Sequence, residues 1–258
     1  MSQVAHYAQK RVLITIRTYP APARRGVEVS CTGGLTDDGK WIRLFPIPYR
    51  FLSYDKRFRK YQWIDVRARR SSDPRPESYE ADIDSIQVLG DPLRTDEKWL
   101  ERKRLILPLS SPSLCYLSQQ RTISGQSLGI FKPREIQNFV IQQDAPNWTP
   151  QERQRLLQHT LFQESARFHP LEKIPYKFLY RFRCDERSCN GHLLSCVDWE
   201  LGQAYRSWRG KYGEHWETKL RDKFQYDMIS RFDTHFFVGT VRAHPNSWII
   251  VGLFYPPR

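Results

Sequence analysis

RVLITIRTYP at residues 11–20, GVEVSCTGGL at 26–35 and KWIRLFPIP at 40–48 decide the fold of the first third of this chain. Each run is short, rich in β-branched and aromatic residues, and bounded by Pro or Gly, the pattern of a half-buried strand. Asp38-Gly39 separates the second run from the third, and a turn of that type supplies the positive φ a tight hairpin needs. YQWIDVRARR (61–70) and ADIDSIQVLG (81–90) continue the series. Five short strands at this spacing predict a small antiparallel β-barrel, OB-like or SH3-like, over residues 1–92. Side chains alternate along a strand, so Trp41, Arg43 and Phe45 share one face and Ile42 and Leu44 the other. An outward Trp41, Arg43, Phe45 row would suit single-stranded nucleic acid. The competing arrangement puts Trp41 and Phe45 in the core, with Ile42 and Leu44 under a neighbouring segment.

Charge points the same way. The first 70 residues hold 15 Lys/Arg against 5 Asp/Glu, a net +10 of the chain's +13. Residues 40–70 interleave ten cations with eight aromatic rings and only two acids, Asp55 and Asp65. Cations neutralise phosphates and release counterions, while flat rings stack on unpaired bases. The candidate contacts are Arg17, Arg24, Arg25, Lys40, Trp41, Arg43, Phe45, Arg50, Arg57, Arg59, Lys60, Arg67, Arg69 and Arg70. A basic surface with no ligand, or one that meets an acidic protein, is the plainer alternative.

Beyond Asp91-Pro92 the texture changes, and residues 93–258 read as a second, α+β domain whose segment 93–170 is mainly a helical connection. Thr95 caps a helix to about Ile106, and Ser111-Pro112 opens another. SLGIFKP (127–133) and EIQNFVIQQ (135–143) are strands. Thr149-Pro150-Gln151-Glu152 combines a cap, Pro at the first helical position and a capping-box Glu, predicting a helix to about Phe168. KFLYRFRC and HLLSCV follow as strands around Asn190-Gly191. Asp198 caps a helix to about Trp208, and Trp216, Leu220, Phe224 and Met228 recur every four residues on the next. HFFVGTV and WIIVGLFY close the chain, so a C-terminal antiparallel sheet with helices on one face is expected.

Five scattered cysteines do not make a secreted disulfide framework, and no apolar run is long enough to span a bilayer. A cytoplasmic protein with no membrane partner is the reading. Cys184, Cys189, His192 and Cys196 lie close together, and thiolates with imidazole are zinc ligands. A strand over 192–197 would place Cys196 about 13 Å from His192, too far to share a metal. That leaves Cys184, Cys189 and His192 with no evident fourth ligand, so a metal-free hairpin is expected and zinc is the alternative. His192, Asp198 and Glu200 are the residue types of a metal-dependent nuclease, although Asp198 and Glu200 are explained equally by a helix start. There is no Gly-x-Ser-x-Gly elbow and no phosphate-binding Gly-rich loop.

KWIRLFPIPYRFL, CNGHLLSCVDWE and THFFVGT resemble a family of uncharacterised bacterial hypothetical proteins across most of the chain. The resemblance implies a prokaryotic origin and carries no activity or site residues. The reading is a non-enzymatic nucleic-acid-binding protein, for RNA or single-stranded DNA, expected as a subunit of a prokaryotic defence, mobile-element or RNA-handling complex. A metal-dependent nuclease and a protein–protein adaptor are the alternatives.

Overall fold

The computed structural model describes residues 6–23, 28–158 and 171–258. Its first part contains β1 (Ala8–Arg17), β2 (Ala21–Pro22), β3 (Glu28–Thr36), β4 (Trp41–Ile47), β5 (Gln62–Arg70), β6 (Ser78–Ala81) and β7 (Gln87–Leu89). β1 pairs with β3 along one edge and β5 along the other, and β3-β4-β6-β5 completes a closed ring of five strands. Closure leaves no free edge in the ring. β4 and β6 run parallel, the one departure from antiparallel pairing within the ring. The Asp38-Gly39 turn forms as its sequence dictates, with Gly39 at φ +75° and Thr36 N–H donating to the Lys40 carbonyl at 2.9 Å. At Gly34, opposite Ile14, a Cβ would lie 1.8 Å from the Leu13 carbonyl oxygen, so only glycine lets β1 and β3 approach this closely. Val12, Ile14, Ile42, Leu44, Ile64 and Val66 fill the barrel.

The second part contains α1 (Asp96–Ile106), β8 (Ser110–Ser111), α2 (Leu114–Ser124), β9 (Leu128–Phe131), β10 (Glu135–Gln143), α3 (Pro150–Gln158), β11 (Tyr176–Arg183) and β12 (His192–Cys196). It continues with α4 (Trp199–Tyr212), α5 (Trp216–Arg221), a π-helical turn over Asp222–Asp227, α6 (Met228–Ser230), β13 (His235–Val241) and β14 (His244–Phe254). The strands form one sheet in the order β10-β11-β12-β14-β13-β9-β8. It is mixed rather than antiparallel, because β12 pairs parallel with β14 and β8 with β9. α4 to α6 lie between β12 and β13 in sequence and carry the chain across the sheet, which returns β14 alongside β12 in the same direction.

Residues 93–158 match the expected, mainly helical connection in part, with α1, α2 and α3 present but two of the strands built into the second sheet. β9 is inserted beside β13 and β10 forms an edge of the sheet, so both strands belong to the C-terminal layer. The second helix starts at Leu114, because Ser113 caps it by accepting from Tyr116 N–H. Thr95 makes no side-chain cap to α1. The Thr149–Glu152 capping box forms at α3, while the expected continuation from 159 to 168 lies outside the described residues.

Alternation then determines what each face of the sheet meets. Phe178, Tyr180, Phe182, Phe236 and Ile250 pack under Leu117, Leu201, Tyr205, Leu220 and Phe224 of the helices. Phe237, Ile130, Val251 and Phe254 face the barrel, against Leu13, Ile16, Leu35 and Tyr61. Each fully buried ring contributes about 1.5–3 kcal/mol, so this shared core binds barrel and sheet into one body. Trp41 meets Phe237 edge to face with centroids 6.1 Å apart, and the Arg43 guanidinium, 2% exposed, donates to Ser78 Oγ and Ser127 Oγ at 3.2 and 2.9 Å. The Trp41, Arg43, Phe45 row is therefore not an open face. Its first two members seal the joint to the second sheet, and only Phe45 is exposed.

Candidate nucleic-acid interface and metal centre

A cleft of about 700 Å³ opens where the barrel, α1, α4 and the C-terminal segment meet. α4 supplies one wall: Trp199, Glu200, Gln203, Ala204, Ser207 and Trp208 recur at helical spacing, and Asp198 starts the helix by accepting from Glu200 and Leu201 N–H at 2.8 and 3.2 Å. The Arg17 guanidinium lies between Tyr49 and Trp199, 4.2 and 4.5 Å from their ring centres. Arg102 repeats the arrangement over Tyr61 and Trp99, at 4.1 and 4.7 Å. Such stacks keep a cation charged in a partly dry site. Trp99, Trp199, Trp208 and Tyr255 all line the cleft and all retain exposed surface. Arg59 lies at its margin, exposed, with no side-chain partner among the described residues.

Lys60 forms the floor. Its ammonium reaches Asp198 Oδ2 at 3.2 Å, Glu200 Oε2 at 3.2 Å and the Leu253 carbonyl at 3.3 Å, which engages all three of its protons. Burial opposes its charge, but Asp198 and Glu200 outweigh that and hold its pKa well above the ordinary value. It is a fixed internal ion pair, with no proton left for a phosphate.

Most of the other candidate cations are also tied down. Arg50 pairs with Glu28 at 3.0 Å, Arg69 with Glu80 at 2.8 Å and Lys40 with Asp38 at 2.6 Å. Arg67 pairs with Asp82. Arg57 donates to the Leu52 and Arg50 carbonyls at 2.9 and 3.1 Å, and Arg70 to those of Pro76 and Ser78. Arg24 and Arg25 lie outside the described residues. From the sequence-predicted set, Arg17, Arg59 and Lys60 converge on the cleft. Tyr49 joins them from the same aromatic and basic stretch, and Trp99, Arg102, Trp199, Trp208 and Tyr255 with no local signal in the chain, because the walls come from segments far apart in sequence.

The second constellation holds the chemistry of a metal site. Cys115, in the first turn of α2, joins Cys184, Cys189 and His192, and one ligand atom from each lies within 4.8 Å of all the others. His192 Nε2 is 3.4 Å from both Cys115 Sγ and Cys189 Sγ. Cys189 Sγ also accepts from Cys184 and Gly191 N–H at 3.3 and 3.4 Å. Burial raises the Cys189 pKa, but these donors outweigh it and move the thiol toward thiolate. Burial with the neighbouring thiols pushes Cys115 up to about 12, the repulsion a divalent cation would relieve. A Cys₃His set of this size could bind a metal such as zinc. The fourth ligand that the local spacing lacked is Cys115. Cys196, at the far end of β12 from His192, is buried in the helix-side core.

His192, Asp198 and Glu200 are not brought together. His192 opens β12 within the cysteine cluster, whereas Asp198 and Glu200 follow the other end of that strand and share Lys60. An ammonium occupies the position between the two carboxylates that a catalytic cation would need.

Among the described residues no helix is long and apolar enough to cross a membrane. No curated protein matches the chain. Residues 8–108 match the model of a domain of unknown function, DUF8758. Residues 110–258, more than half the chain, match a second, DUF8757, and the protein belongs to that family of uncharacterised proteins.

Proposed function

We propose that this protein binds single-stranded nucleic acid, RNA or DNA, without catalysing a reaction on it, and that the cleft between barrel and α4 is where the strand is held. The observation that carries this reading is the cleft's composition: rings from several segments, with exposed Arg59 at its margin and Arg17 and Arg102 contributing positive charge from behind, held by the Phe58 and Leu93 carbonyls. Rings stack on bases of any identity, and guanidinium groups neutralise the backbone. The two carboxylates nearby are balanced largely by Lys60, which leaves the arginines in excess. The test is fluorescence anisotropy of labelled single strands across a salt series. Log affinity should fall linearly with log salt, and Arg59→Ala should reduce the slope by roughly 0.7, one phosphate contact on a single strand. A salt-independent affinity, or none for any strand, overturns the proposal.

The same reading makes the cysteine cluster a structural zinc site. Three sulfurs and one imidazole nitrogen are the donor set zinc favours, and four protein ligands leave no open position for a reactive water. Cys115, Cys184, Cys189 and His192 would tie the start of α2 to the β11–β12 connection. A closed site supports scaffolding rather than hydrolysis. Zinc analysis of the purified protein tests it.

A further inference from the structure

We infer that the cleft selects a guanine nucleotide. The inference rests on the nucleic-acid reading of the same cleft and adds the identity of the base. Its basis is the polar edge of α4. Glu200 has one carboxylate oxygen, Oε2, held 3.2 Å from the Lys60 ammonium, while its side chain remains 42% exposed. Oε1 has no donor from the protein among the described residues. Because Lys60 is locked by Asp198 and the Leu253 carbonyl as well, the Glu200 carboxylate is a charged acceptor fixed toward the cleft. Gln203 and Ser207 follow one and two turns along the same wall, and neither side chain has a hydrogen-bond partner among the described residues.

Each base presents a different edge to that wall. Guanine offers two adjacent donors, N1–H and the N2 amino group, to a carboxylate, and its O6 accepts from a neighbouring amide such as that of Gln203. Adenine sets its N1 lone pair, and cytosine its N3 lone pair, against the Glu200 charge. Uracil and thymine flank their single N–H with two carbonyls. A carboxylate fixed beside an apolar ring surface therefore favours guanine and repels the others, and a partly buried acceptor left unmatched carries a desolvation cost. Trp208 on the same helix offers the stacking surface, Trp199 already lying against Tyr19 and Arg17, and Arg59 at the margin is placed for the phosphate.

The experiment measures binding of the full-length protein to oligo(U) strands carrying a single central G, A or inosine, and separately to GMP and AMP by calorimetry. The G strand should bind about 10-fold tighter than the A strand, the scale of one bidentate base contact. Inosine, which lacks the N2 amine, should lose part of that preference. Glu200→Gln should abolish the preference for the G strand over the A strand. Should that variant fail to fold, the inosine series on the unaltered protein decides alone. Strand binding without any preference for G overturns the guanine assignment and leaves the nucleic-acid reading intact. Binding of GMP over AMP with no affinity for strands overturns the nucleic-acid reading and keeps the guanine site, for a free nucleotide. No binding of strands or nucleotides overturns both.

Discussion

Replacing Cys115 with serine is the sharpest perturbation of the candidate metal centre, because Cys115 is the member of the cluster that comes from another part of the chain. Cys184, Cys189 and His192 lie within one connection, whereas Cys115 belongs to α2. With metal bound, the link from Cys115 to Cys184 closes a loop of about 70 residues, and the chain-entropy expression for such a cross-link gives about 4 kcal/mol. At roughly 2–4 °C per kcal/mol for a chain of this size, Cys115→Ser should melt roughly 8–16 °C lower, as should the unaltered protein after strong chelation. The two effects should not add, since both remove the same cross-link. Cys31, in β3 of the barrel and outside the cluster, gives the control: Cys31→Ser should keep both metal and melting temperature. Elemental analysis or native mass spectrometry counts the metal, and scanning fluorimetry reads the melt. Protein isolated from zinc-supplemented medium without stoichiometric metal, with melts unmoved by chelator, would refute the cross-link.

Lys60→Met should destabilise the fold by about 3–5 kcal/mol, because Asp198 would be left buried with its charge uncompensated. Adding Asp198→Asn should recover part of that loss in chemical denaturation, and a double mutant no more stable than the single one contradicts the ion-pair account. His235 gives a pH signature. Burial lowers its pKa, against the opposing pull of Asp233, and its Nδ1 lies 3.0 Å from the Asp233 carbonyl oxygen. The unfolded chain therefore takes up the proton first, and stability falls as pH drops below about 6.5 until the folded imidazole also protonates. His235→Gln should flatten the part of the pH–stability curve just below about pH 6.5, and an unchanged curve would show that His235 does not set it.

What was legible in the chain was local. The alternating runs from Arg11 to Gly90 identify a barrel because strand period, turn type and Pro/Gly boundaries are all written within ten residues. Asp198 and the Thr149–Glu152 box were legible as helix starts for the same reason, since a cap needs only its own N–H groups. The partners of β9 and β10 were not. β9 pairs with β13 and β10 with β11, choices made by long-range packing on a sheet whose other strands come much later. Local periodicity marks 127–143 as strand without saying which sheet receives it, so the segment reads as part of a helical stretch.

The charge reading shows the same limit at finer grain. Ten Lys/Arg among eight rings in residues 40–70 look alike in sequence, yet their environments separate them. Arg43 satisfies Ser78 and Ser127 inside the joint between barrel and sheet, Lys60 is matched to Asp198 and Glu200, and Arg67 and Arg69 meet acids on neighbouring segments of the barrel. An arginine remains available to a ligand only where no acid from a distant strand or helix reaches it, and Arg59 is such a case. Arg102 enters the cleft from outside the basic stretch, stacked on Tyr61 from inside it. The density of positive charge marks a stretch of sequence, while three-dimensional pairing decides which charges within it are left without a partner. The same pairing fixes Glu200, through Lys60, as the one carboxylate lining that cleft among the described residues, and the proposed preference for guanine rests on it.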